Sequence, residues 1–129
     1  MCLLCNHLCN IHYRTQNMRV SKDIDGPIEF SIGKNAQENF DIIDEAEPRD
    51  IWFHVEGESS CHVIAHVSSY ILCKKRTSKI IKQGAVLCKQ HSRYASSKNL
   101  PIIYTFIENV TKTRIPGSVT TENTKRVVI

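Results

Sequence analysis

The 129-residue sequence predicts an α+β fold: a single domain, mainly antiparallel sheet, with one short and one long helix. Three observations predict it. The length suits one domain that buries its own core without disulfides or metal. Short apolar runs bounded by Gly, Pro, Asn and Ser recur at strand length. One segment, residues 75–95, instead has the two-faced periodicity of a long helix, and no regular strand-helix-strand rhythm surrounds it, which favours α+β over a doubly wound sheet.

Residues 1–17, rich in Cys, His and Asn, are expected to form a flexible extension ahead of the main domain over 18–129, with Met18 as an alternative start. GPIEFSIGKN then places a strand at 27–32, broken by Gly33. NAQENFDIIDEAE is a short helix ended by Pro48, with Asn35 as a capping residue and Lys34 beside it. IWFHV and CHVIAHV are two strands joined by the polar turn EGESS. In the long helix, at about 100° per residue, Ile80, Gly84, Leu87, Cys88, His91 and Ala95 fall on one side. Lys75, Lys79, Lys82, Lys89 and Arg93 fall on the other, interrupted only by Val86. The linker SSKNLP leads to IIYTFIENVTKT, a Pro116-Gly117 turn, and SVTTEN and KRVVI as final strands.

A content of 41% hydrophobic and 23% charged residues is globular, and no apolar stretch approaches the roughly 20 residues that span a bilayer. MCLLCNHLCNIHYR lacks both the leading positive charge and the apolar centre of a secretory signal. The expectation is therefore a cytoplasmic protein whose six cysteines are thiols or metal ligands. The net charge of +4 hides a division. Residues 1–60 hold 5 Lys/Arg against 11 Asp/Glu, residues 61–129 hold 12 against 2, and such asymmetry points to a polyanionic partner.

GKNAQEN, DIWFHV and IIYTFIENVTK...PGSV...KRVVI resemble the NFACT-R domain, the RNA-binding module of ribosome-associated quality-control factors, over about residues 26–129. The most specific part is Asp50-Ile51-Trp52-Phe53-His54 followed by His62-Val63, similar to the family's DxWFH and HV elements. Ser59-Ser60-Cys61 stands where the family usually has a small glycine-containing turn, and resembles the eukaryotic stand-alone members. The resemblance implies a free-standing R domain, without the amino-terminal domain, helix-hairpin-helix and coiled coil of full-length members. It also implies structured RNA of the translation apparatus, tRNA or rRNA, as the ligand.

From the residues themselves, the stripe Lys75, Lys79, Lys82, Lys89 and Arg93, extended by Lys112 and Arg114, is a candidate surface for phosphates; the plain alternative is a solvated helix face. Alternation puts Trp52 and His54 on one strand face and His62, Ile64 and His66 on one face of the next strand. If the hairpin register brings the two sets together, Trp52, His54 and His62 offer a surface for stacking bases; otherwise Trp52 is a core residue. Lys34 beside a helix amino terminus is a further phosphate candidate. DNA is the close rival to RNA, since nothing identifies a contact to a 2′-hydroxyl. A protein-interaction adaptor associated with ribosomes is the reading from a different class.

A Cys61-His62-Asp50 nucleophile is poorly placed, because adjacent strand residues point to opposite faces, and no nucleophile elbow or phosphate-cradling glycine loop is present, so no catalysis is expected. Cys2, Cys5, His7, Cys9 and His12 are chemically good zinc ligands, but five in eleven residues lack the two pairs joined by a longer loop that structural sites use. No metal and no cofactor are assigned.

Overall fold

The computed structural model describes residues 17–129; the five candidate zinc ligands lie outside the described residues. A strand the sequence did not reveal, β1 (Met18–Asp23), pairs antiparallel with β2 (Pro27–Gly33), Met18 facing Ile32. There follow α1 (Ala36–Glu45), β3 (Ile51–Val55), β4 (His62–His66), α2 (Lys74–Gln90) and β5 (Pro101–Phe106). A 3-10 turn (Ile107–Asn109), the short strands β6 (Val110–Lys112) and β7 (Val119–Thr121), and β8 (Lys125–Val128) complete the chain. Six strands form one antiparallel sheet in the order β1-β2-β4-β3-β5-β8, and β6-β7 form a separate hairpin.

The central strands are covered on both faces, which is why IWFHV and CHVIAHV look almost continuously apolar. One face carries Phe30, Ile32, Phe53, Val55, Val63 and Ile102 against Ile80, Ala85, Leu87 and Cys88 of α2. Each such side chain contributes about 1.5–3 kcal/mol when fully buried. The closest fit is at Gly84, where an added Cβ would sit 2.2 Å from the Phe53 ring. The opposite face carries Trp52 and Ile64 against Ile42 and Ile43 of α1, with Val110 and Val119 of the β6-β7 hairpin packed alongside.

The expected helix over 75–95 is shorter at its carboxyl end. His91 caps α2, and Ser92 turns its hydroxyl onto the Lys89 carbonyl at 2.8 Å, so His91 and Ala95 are exposed rather than part of the inner face. Among the described residues, no helix is long and apolar enough to cross a membrane.

Candidate nucleic-acid interface

Strand pairing settles what the turn sequence left open. Trp52 lies opposite Ile64 and Phe53 opposite Val63, a register that puts His54 across from His62 on one face of the sheet. The rings follow: Trp52 and His54 are parallel with centroids 5.5 Å apart, and His62 stands edge-on to both, 5.0 Å from His54 and 5.4 Å from Trp52. The Trp52 indole N–H donates to Nδ1 of His62 at 3.1 Å.

This geometry corrects the assignment of Trp52 as a stacking surface. Its ring is only 1% exposed, enclosed by Ile42, Ile43, Ile64 and Ile107, and it supports His54 from below rather than presenting a face to a base. His62 is 2% exposed, so it too offers an edge and not a platform. Of the three, only His54 is half-buried rather than buried.

The indole nitrogen is a donor only, so Nδ1 of His62 accepts, and the neutral ring carries its proton on Nε2. Burial, and then the neighbouring His54, pull the His62 pKa down from 6.5 to about 3. Burial also lowers the His54 pKa, against the hydrogen bond to the Val55 main chain. Both imidazoles therefore act as neutral polar groups near pH 7.

Above them opens a cleft of about 570 Å³. Four segments build its walls: Lys34, Asn35 and Ala36 at the start of α1, residues 59–61 of the β3-β4 turn, residues 91–93 just past α2, and residues 116–119 at the β6-β7 tip. Asn35 caps α1 by accepting the Glu38 N–H at 2.9 Å, and the Glu38 carboxylate accepts the Lys34 N–H at 3.0 Å. This capping leaves the amides of Ala36 and Gln37 without intrahelical acceptors, at the positive end of the helix dipole. The Lys34 and Arg93 side chains are exposed, and among the described residues neither has an ion-pair partner.

Sequence reasoning missed Asn39. It lies on the buried face of α1 with Ile42 and Ile43, and the spacing of three and four residues was the available signal. Its Oδ1 accepts the His62 main-chain N–H at 3.2 Å, and its side chain presses against Gly33, where a Cβ would come within 2.5 Å of that oxygen.

The predicted cations divide. The β3 side chains alternate, so α2 covers the Phe53 face while His54 looks out from the other; the basic helix and the histidine surface do not form one continuous face. Arg93 reaches the cleft because it lies beyond the end of α2. Lys75 and Lys82 are exposed on the outer side of α2, and Arg114 is exposed near the β6-β7 turn. Lys79 pairs with Asp25 at 3.3 Å, Lys112 pairs with Asp44, and Lys89 donates to the Ile129 main-chain oxygen at 3.0 Å. The acidic half of the sequence thus neutralises part of the basic half instead of standing apart from it.

The trio Cys61, His62 and Asp50 is dispersed. Cys61 faces α2, its thiol donating to the Cys88 carbonyl, while His62 points to the opposite side of the sheet. Asp50 is a clamp: it accepts the main-chain N–H groups of Glu47, Val67 and Ser68 at 2.9–3.0 Å and contacts Nδ1 of His66 at 3.3 Å. Burial alone would raise its pKa, but the His66 contact and these three N–H groups outweigh it and hold the carboxyl at about 2.

Comparison with known proteins identifies relatives. A family model described as the NFACT protein RNA binding domain matches residues 15–123. Coiled-coil domain-containing protein 25 of Danio rerio is 32% identical over 88 residues, covering 67% of this chain and 42% of that protein. The Dictyostelium discoideum homolog is 31% identical over 83 residues, covering 64% and 40%. The chain thus spans about two-fifths of the length of these curated relatives. Among solved structures, the C-terminal part of the fibronectin/fibrinogen-binding protein from Streptococcus suis superposes with a TM-score of 0.75 at 19% identity, over 89% of this chain and 45% of that one, a likeness of fold.

Proposed function

We propose an RNA-binding role without chemistry for this chain, which belongs to the NFACT protein RNA binding domain family. Family membership supports RNA as the polymer; the finer reading is structured RNA, tRNA or rRNA, engaged in the cytoplasm within translation quality control. The observation that carries the reading is the cleft, where two cations without an ion-pair partner among the described residues, Lys34 and Arg93, flank the amino terminus of α1 and the neutral His54 ring. Cations and backbone amides recognise phosphates without regard to sequence, while a surface imidazole gives an unpaired base something to stack on. The outer cations of α2, Lys75 and Lys82, then serve as a second electrostatic contact for an RNA large enough to wrap the domain edge.

Fluorescence anisotropy with a labelled tRNA tests this. Reversal of both rim cations, Lys34→Glu with Arg93→Glu, is expected to weaken binding about tenfold or more at moderate salt. Unchanged affinity would remove the cleft from the interface. Competition by DNA of matched sequence and form as strong as by RNA would turn the assignment to DNA.

A further inference from the structure

The cleft floor has a chemical character that general RNA affinity does not require. Two side chains there are nearly wholly buried, His62 at 2% and Asn39 at 6% exposed, and each has one end tied and one end free. His62 receives the Trp52 N–H on Nδ1, which leaves Nε2–H as a donor. Asn39 receives the His62 main-chain N–H on Oδ1, which leaves its amide NH₂ as a donor. Among the described residues neither donor has a partner, and neither is sealed from the cleft.

The orientation of both is enforced. A side-chain carbonyl alone can accept the His62 N–H, so the Asn39 amide has one way round, and its oxygen lies where only a glycine at position 33 leaves room for it. Lys34, Asn35 and Ala36 at the start of α1 and Arg93 just past α2 line the same cleft, and both cations are exposed. Although the chain holds 13 Asp and Glu, none lines the cleft. A site of converging donors and cations without a carboxylate fits a small anion rich in acceptor oxygens.

Resting on the RNA reading above, we propose that this cleft receives a phosphate group of the bound nucleic acid, specifically a terminal phosphomonoester. A monoester presents three free oxygens and only one substituent, so it can enter a recess end-on and meet Asn39 and His62 at the floor. A phosphodiester inside a strand must run both its ester arms back out, and it meets the rim cations without reaching the floor. The cleft then distinguishes a strand end from a continuous strand.

The test compares three versions of one 12-nucleotide single-stranded RNA: 5′-phosphorylated, 3′-phosphorylated, and bearing hydroxyls at both ends. At least one phosphorylated form is expected to bind about tenfold tighter than the hydroxyl form, with adenosine 5′-monophosphate competing away the increment. Asn39→Asp keeps an acceptor for the His62 N–H but places a carboxylate in the recess, and is expected to cancel the increment. A second measurement needs no variant. The Nε2–H resonance of His62 should shift when adenosine 5′-monophosphate is titrated into the wild-type chain, and adenosine should leave it in place. Equal binding of all three RNAs, or an unmoved His62 resonance, overturns the phosphate site while leaving RNA binding intact. Absence of binding to all three and to tRNA overturns both.

Discussion

The Trp52 indole N–H donates to Nδ1 of His62 at 3.1 Å, and this buried pair links the sheet to the floor of the cleft. It also makes stability sensitive to mild acid. The folded His62 pKa is about 3 against an ordinary 6.5, so below 6.5 the unfolded chain binds a proton that the folded chain refuses. Stability is full above pH 6.5 and declines as pH falls toward 3, by about 2 kcal/mol at pH 5 from this residue alone. Thermal melts at pH 7 and pH 5 measure the loss, which His62→Gln should largely remove; a melting temperature indifferent to pH over this range would contradict it.

Asp50 predicts a second, more acidic transition. Its carboxyl is held at about 2 against an ordinary 3.8, so its contribution is present above pH 3.8 and disappears as pH falls through 2. Asp50→Asn exchanges one acceptor oxygen for a donor facing main-chain N–H groups, and is expected to cost about 3 kcal/mol near neutral pH. Urea unfolding of the variant gives the value directly, and a cost under 1 kcal/mol would mean that the clamp contributes little.

Gly84 is required by the Phe53 ring and not by backbone conformation. Gly84→Ala forces its methyl into that ring, with an expected loss of roughly 1–3 kcal/mol despite the better helix propensity of alanine. Adding Phe53→Leu makes room, so the double variant should lose less than the two single losses combined. Strict additivity in denaturant unfolding would show that the two residues do not compete for the same space.

The division of cations between two sides of the sheet gives a prediction about salt. Reversing Lys34 and Arg93 should flatten the dependence of log Kd on log salt for single-stranded RNA by about 1.4, two phosphate contacts' worth. Reversing Lys75 and Lys82 on the outer side of α2 should change the slope for a short single strand little, and for tRNA more. Equal effects of both pairs on a short oligonucleotide would restore the helix as the primary contact.

Much of the architecture was legible because its signals are local. The strand lengths, the buried row Ile80, Gly84, Leu87 and Cys88 of α2, the Asn35 cap and the strand pair around Trp52 all follow from a period of two or 3.6 residues, or from a capping preference. β1 escaped notice because Met18–Asp23 is an edge strand of alternating half-buried and exposed residues, with no apolar run to mark it. The end of α2 was placed too late because periodicity continued past the point where Ser92 captures the Lys89 carbonyl.

The chemistry of the candidate site was less legible. Sequence by itself determined the set of side chains, the face of each strand on which it lies, and the family likeness. Only the tertiary structure decided that His54 faces His62, that Trp52 is sealed beneath them, and that Asn39 joins the floor. It alone showed that Lys79 and Lys112 are neutralised by carboxylates 54 and 68 residues away, while among the described residues Lys34 and Arg93 are not. The physical reason is range: alternation and helical period act over a few neighbouring residues, whereas register, burial and charge pairing depend on which distant segments the packed core brings together.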